Sequence, residues 1–160
     1  MSRGKLTLRK NTINPDPIYK SKIISLIINK LILHGKKSIA QKIFYTTLEE
    51  ITKKLNENPL IIIKKIINNI TPNIEPKTKR IGGGVFSIPI QINSSRGIKV
   101  ALSFLIKIIR KRSGKNIKLK LKNELLDAYN NIGYCIKKKN EINKLAETNK
   151  VFINYKLKKK

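Results

Sequence analysis

Asn73-Ile-Glu-Pro-Lys-Thr-Lys-Arg-Ile-Gly-Gly-Gly-Val-Phe-Ser-Ile-Pro-Ile-Gln-Ile-Asn93 is the segment on which the fold turns. Phe86, Ile88, Ile90 and Ile92 alternate with Val85, Ser87, Pro89, Gln91 and Asn93, the period of a strand whose two faces differ. Asn73 to Lys79 is the expected pairing strand, and Gly82-Gly83-Gly84 supplies residues that take positive φ at a turn. Pro76 and Pro89 would each damage a central strand, but in a two-stranded ribbon every strand has a free edge that a proline can face. The segment therefore predicts a β-hairpin arm over residues 72–93. An isolated hairpin is marginal in water, so this one is expected to lean on the rest of the chain or on a partner.

On both sides of the hairpin the period becomes helical. Ile23, Ile24, Ile27, Ile28, Leu31 and Ile32 form a first stripe, with His34-Gly35 as its stop. Ser38 is the expected cap of a second helix carrying Ala40, Ile43, Phe44, Leu48, Ile51 and Leu55 inward. Asn58-Pro59 reads as an N-cap with proline at the first helical position, which favours helix over strand for the β-branched run from Leu60 to Ile70. After the hairpin, Ser94 or Ser95 is expected to cap a fourth helix with Ile98, Ala101, Leu102, Leu105, Ile108 and Ile109 inward. A fifth runs from Ile117 to Ile132, burying Leu121, Leu125, Ala128 and Ile132 and closed by Gly133. A sixth follows Asn140, with Ile142, Leu145, Ala146, Asn149, Phe152 and Ile153. The reading is a mainly α protein, about six helices with a projecting two-stranded hairpin between the third and fourth. Residues 1–18 form a basic N-terminal arm, 19–155 a single domain and 156–160 a basic tail.

The 160 residues include 36 Lys and Arg against nine acids, a net charge of +27. A compact body so charged repels itself unless a polyanion neutralises it, so an acidic partner is implied. The 30 Lys, 30 Ile and 17 Asn are residues of A- and T-rich codons, so base composition as in plastids, mitochondria or endosymbionts accounts for part of the lysine. The same pressure does not by itself deplete Asp and Glu this far. Ser25, Asn29 and Lys30 interrupt the longest apolar stretch, Ile23 to Leu33, which is too short and polar to span a bilayer. Met1 to Lys10 shows neither an apolar h-region nor a long leader, so the chain is expected to be made where it works.

Catalysis is disfavoured. Cys135 and His34 are each alone, so there is no cluster to hold zinc and no dedicated base for a thiol nucleophile. Cys135 is expected to be a small residue in a turn and His34 an exposed one. Gly82 to Gly84 lacks the third glycine of a dinucleotide loop, where Ser87 stands; Gly35-Lys36 lacks the upstream glycine and the following Ser or Thr of a phosphate loop. Glu124, Asp127, Glu141 and Glu147 are expected to pair with nearby lysines on their helices. No enzyme activity and no cofactor are expected.

What remains is basic clusters at defined places. These are Arg3, Lys5, Arg9 and Lys10 in the arm; Lys36 and Lys37 in the first turn; Lys77, Lys79 and Arg80 in the hairpin; Arg96; and Arg110, Lys111, Arg112 and Lys115. Phosphate contacts at such places release counterions and add to affinity. The scarce arginines carry most weight, because a planar guanidinium makes bidentate contacts that lysine cannot. Few aromatics argue against a stacking platform for single strands, which favours structured RNA read by shape and backbone.

Ser21-x-Ile23-x-x-x-Ile27-Ile28, six residues, Gly35-Lys36-Lys37, five residues, Ile43-Phe44-x-x-Thr47 resembles the signature of the family of the seventh protein of the small ribosomal subunit, in its bacterial and organellar form. Pro15-Asp16-Pro17, Lys77-Thr-Lys-Arg-Ile-Gly-Gly, Ile88-Pro89-Ile90, Arg110-Lys-Arg, Asn123-Glu124-Leu125, Lys137-Lys138-Lys139 and Ala146-Glu147-x-Asn149-Lys150 are similar in order and spacing, so the resemblance spans roughly Arg9 to Tyr155. It implies six helices with a hairpin between the third and fourth. It also implies a primary binder of the 3′ major domain of small-subunit ribosomal RNA, which nucleates assembly of the head and lies near exit-site tRNA and mRNA beside neighbouring ribosomal proteins. The arm, the Gly35-Lys36-Lys37 turn, the hairpin and the fourth-helix region would contact ribosomal RNA. The hairpin tip (Lys79, Arg80, Ile81, Gly82, Gly83, Gly84) and Asn149 and Lys150 of the sixth helix would lie near tRNA and messenger. The chain departs from the family in its arginine-poor arm, in His34 where an acid is common, and in Gly84 and Phe86.

The resemblance and composition together imply a plastid location, with a bacterial cytoplasm or mitochondrial matrix as alternatives. Two other functions explain the charge: a basic amphipathic binder of anionic membranes, and a free nucleic-acid regulator. A membrane binder needs cations flanking an exposed apolar helix face, whereas here the stripes match a shared core and no membrane partner is expected.

Overall fold

The computed structural model describes residues 13–81 and 83–150. Six helices and one hairpin follow in order: α1 (Lys22–Leu31), α2 (Lys37–Leu55), α3 (Pro59–Ile70), β1 (Ile74–Ile81), β2 (Gly84–Gln91), α4 (Ser94–Lys111), α5 (Ile117–Tyr129) and α6 (Tyr134–Thr148). The mainly α architecture with the hairpin between the third and fourth helices is as the periodicities predict. Phe152, Ile153 and the Lys-rich tail lie outside the described residues, as do Arg3, Lys5, Arg9, Lys10 and Gly82.

One continuous apolar core joins α1 to α5 and the first turn of α6, with Ile24, Ile27, Phe44, Leu48, Ile51, Ile66, Leu105 and Leu125 fully enclosed. α2 packs on α5 and α1, α3 on α5, and α4 bridges α1 and α5. These contacts explain why isoleucine-rich runs of modest helix propensity are helical: an amphipathic face buried against neighbours outweighs the β-branched preference. The cap decides α3, whose Asn58 Oδ1 accepts the Leu60 N–H at 3.0 Å with Pro59 at the first position.

Several boundaries differ from expectation. α1 stops at Leu31, and Gly35 takes φ +73 three residues into the following turn rather than closing the helix. Ser38 lies inside α2, whose N-cap is Lys36 with no side-chain cap; Asn93, not a serine, precedes α4. The largest correction is at α5 and α6. α5 ends at Tyr129, Ile132 is 66% exposed rather than inward, and Gly133 starts α6 instead of stopping α5. Gly133 reads like a C-terminal glycine because φ +99 is required there, but the reason is crowding: a Cβ would stand 2.8 Å from the Asp127 Cβ. Cys135 is accordingly a buried residue of a helix, not of a turn, and Leu145 faces solvent.

The hairpin strands pair antiparallel from Ile74↔Gln91 to Ile81↔Gly84, so the loop is two residues with Gly83 at φ +86, and β1 runs two residues past the expected Lys79. Pro76 stands opposite Pro89. The Ile92 N–H donates to Asn73 O at 3.0 Å, and alternation from that rung makes Pro76↔Pro89 a rung without hydrogen bonds, where two missing donors cost nothing. β1 lies against α6. Ile88, Ile142 and Ala146 are buried outside the main core cluster. The hairpin is thus anchored near its base, and Lys77 to Arg80 are all exposed.

Candidate nucleic-acid interface

The structure divides the cations named from sequence into those engaged inside the protein and those that are not. Arg96 grips Glu75 with two nitrogens, Nε at 2.6 Å and Nη2 at 2.9 Å, tying α4 to the base of β1. That bidentate contact holds the Glu75 carboxyl below its usual range, with Lys77 adding a smaller attraction. Arg112 Nη1 donates to Glu124 Oε2 at 2.7 Å and Asp127 Oδ2 at 2.8 Å. Arg110 Nη2 donates to Lys30 O at 3.3 Å. Of the four arginines named beyond the arm, Arg80, Arg96, Arg110 and Arg112, the last three therefore have internal partners, as do Glu124 and Asp127, whose partner is Arg112 at the end of α4 rather than a neighbouring lysine. Glu141 does pair locally, with Lys138 at 2.7 Å.

Lys36, Lys37, Lys79, Arg80, Lys111 and Lys115 are exposed and have no side-chain partner among the described residues. Lys36 and Lys37 open α2, whose positive dipole end has no side-chain cap. Lys79 and Arg80 lie on the distal half of β1, where Arg80 opposes Val85 and Lys79 opposes Phe86. Five rungs at about 3.3 Å per residue set Lys79 roughly 17 Å along the strand from Ile74. Lys111 ends α4 and Lys115 lies in the next loop.

Two of the predicted clusters meet. Lys36 of the first turn and Arg110 of α4 line one cavity of about 230 Å³ with Leu33, His34, Ile39 and Ile117. Lys150, Ala146 and Asn143 share another, of about 500 Å³, with Ile74, Pro89 and Gln91. The end of α6 is therefore beside the base of the hairpin, not its tip. Asn149 is half-buried, and at the far end of the ribbon Gly83 is exposed and Gly84 half-buried.

Sequence reasoning missed residues that fasten the elements of the bundle to one another. Asp16 is buried, accepting from the Ile18 and Tyr19 N–H groups and from Tyr45 Oη at 2.6 Å, so residues before α1 are fastened to α2. Burial and that hydrogen bond push the Tyr45 hydroxyl up to about 12. Asn69 Nδ2 donates to Ala128 O and Tyr129 O at the end of α5, and its own carbonyl accepts Lys139 Nζ at 2.7 Å. Asn69 is a polar residue in the last turn of an isoleucine-rich helix, and nothing local in the sequence marks it for such a role. No group of three metal-ligating side chains occurs among the described residues, and no described helix is long and apolar enough to cross a membrane.

Residues 2–150 match the family model described as ribosomal protein S7p/S5e. The small ribosomal subunit protein uS7c of Euglena gracilis is 46% identical over 92% of this chain and 95% of its own length. The uS7 protein of Dictyoglomus thermophilum is 42% identical over 96% and 97%, and uS7c of Ostreococcus tauri 38% over 97% and 99%. A bundle with one projecting hairpin, cations gathered at its turns, and similarity along nearly the whole length agree: the chain belongs to the ribosomal protein S7p/S5e family, structural proteins of the small ribosomal subunit rather than enzymes.

Proposed function

We propose that this protein is a primary binder of small-subunit ribosomal RNA that folds the 3′ major domain of the head by neutralising converging strands. In this reading the tip of its hairpin and the end of α6 lie near exit-site tRNA and mRNA. The observation that carries the reading is that six of the cations named from sequence, at one turn, one hairpin and one helix end, are exposed without a side-chain partner among the described residues, while Arg96, Arg110 and Arg112 at the same places hold internal partners. Arg3, Arg9 and Lys10 of the arm are further proposed RNA contacts. Arg96, Arg110, Arg112 and Lys77 are proposed RNA contacts too, the three arginines while holding internal partners that position them. Other small-subunit proteins are the expected neighbours. A plastid ribosome is the setting we favour, on the A- and T-rich residue usage together with the 46% identity to the Euglena gracilis relative.

Binding of the purified chain to 3′ major-domain RNA, to duplex DNA of equal length and to anionic vesicles tests the reading. Preference for the RNA is expected; equal affinity for all three overturns it. Lys79→Ala with Arg80→Ala is expected to lower the magnitude of the salt slope by roughly one to two units. An unchanged slope removes the hairpin from the contact surface.

A further inference from the structure

The cavity between the α1–α2 turn and the end of α4 has a property that phosphate contacts leave unused. Leu33 and Ile39 expose 54% and 53% of their surface beside it, Ile117 lines it, and the cations on its border are Lys36 and Arg110. His34, the only histidine of the chain, lies in the same lining with φ +50, and no acidic residue does. A non-glycine residue held in the left-handed region is strained, and such strain gathers at binding sites. Aliphatic surface next to an imidazole, a guanidinium and an ammonium group matches a ligand with an apolar planar face attached to an anion. At about 230 Å³ the cavity is below the roughly 300–1,000 Å³ of pockets that enclose drug-sized ligands, and it suits a single ring system rather than a base pair.

We propose that this cleft receives one unpaired nucleobase of the bound RNA, stacked on His34 and the Arg110 guanidinium over the aliphatic floor, with the adjoining phosphate on Lys36. Unstacked bases are held in this manner on histidine or arginine planes, and duplex RNA offers no such face. The proposal rests on the RNA-binding reading above and deepens it by naming what is recognised at the first turn. It differs from a docking site for a neighbouring protein, whose apolar side chain would fill the same space but would need acidic groups for the cationic border.

The test uses the full chain and 3′ major-domain RNA. His34→Asn with Ile39→Ala removes the ring and the aliphatic wall; asparagine tolerates the left-handed φ, and both positions are exposed, so the thermal melt is expected to match wild type. The variant is expected to bind about five- to tenfold more weakly with an unchanged salt slope, because stacking releases no counterion. His34→Tyr, which keeps an aromatic ring, is expected to bind as wild type. A benzophenone side chain at Leu33 is expected to crosslink to an unpaired nucleotide. Binding of His34→Asn, Ile39→Ala within twofold of wild type overturns the cleft, as does a loss carried by the slope, failure of His34→Tyr, or crosslinking to helical nucleotides or a protein neighbour. Those results leave RNA preference of the wild type intact; loss of that preference overturns both readings.

Discussion

Arg112 Nη1 is 2.7 Å from Glu124 Oε2, and Glu124 has no exposed surface. Its other oxygen accepts the Cys135 N–H at 3.1 Å, so one carboxylate joins the end of α4 and the start of α6 from its place on α5. Asp127, closer to solvent, shares the same arginine nitrogen. The arrangement leaves no buried side-chain polar atom unpartnered among the described residues.

Removing the arginine leaves that carboxylate charged and enclosed. Arg112→Ala is expected to lower the free energy of urea unfolding by about 3–5 kcal/mol, since breaking a buried pair costs far more than exchanging both members for apolar ones. Arg112→Met with Glu124→Leu is expected to recover part of the loss. A change below about 1 kcal/mol for Arg112→Ala is the magnitude of a surface pair and would contradict the buried node.

Lys118 and Lys122 of α5 clamp Glu50 of α2 at 2.6 and 2.7 Å and hold its carboxyl down from 4.5 to about 2. A depressed folded-state value means the native protein binds the proton less readily than the unfolded chain. The resulting stability is present above the unfolded value and disappears as pH falls from about 4.5 towards 2. Glu50→Gln is expected to flatten the acid limb of a stability-against-pH profile in that window, and to do so less at high salt because the site is open to solvent. Identical acid limbs would remove the clamp.

Gly97, in the first turn of α4, is buried; a Cβ there would stand 2.9 Å from Thr71 Cγ2 and 3.5 Å from Pro72 O. The helix passes this close to the link between α3 and β1, and so fixes where the hairpin leaves the bundle. Gly97→Ala gains helix propensity but forces that link apart, and overpacking of this kind costs about 1–3 kcal/mol. A net loss in thermal stability is expected; a gain would show that Thr71 swings aside freely.

The hairpin was legible because a period of two and three glycines are local signals, and α3 because its cap and proline are adjacent. Gly133 is ambiguous in the sequence because a required positive φ looks the same whether it ends one helix or begins the next; only contact with Asp127 decides. The pairing of Arg96 with Glu75 and of Arg112 with Glu124 spans 21 and 12 residues, so no helical spacing rule reveals it. A scarce arginine marked out as a phosphate ligand is equally suited to grip an internal carboxylate, and sequence alone does not separate the two uses.

Cys135 is enclosed, and burial together with the nearby Glu124 carboxylate pushes its thiol well above the usual range. A thiol-specific reagent at pH 8 is therefore expected to leave the native protein unlabelled and to label one thiol rapidly in denaturant. Fast native labelling would show that the first turn of α6 opens readily.

Ile88 is 1% exposed and lies across from Lys77. Lysine at 88 would place an ammonium in that buried position and oppose it to a like charge, losing the roughly 1.5–3 kcal/mol that an enclosed isoleucine contributes. Because Ile88 lies outside the main core cluster, the bundle is expected to keep its melt while the ribbon opens. Chymotrypsin reports this directly: cleavage after Phe86 in Ile88→Lys is expected to rise by more than about tenfold when reclosing outpaces cutting. Val85→Lys, at a position 63% exposed and opposite Arg80, adds the same charge without burying it and is expected to change cleavage little. Equal cleavage of the two variants would mean that charge alone, rather than the buried anchor at Ile88, governs how firmly the hairpin is held.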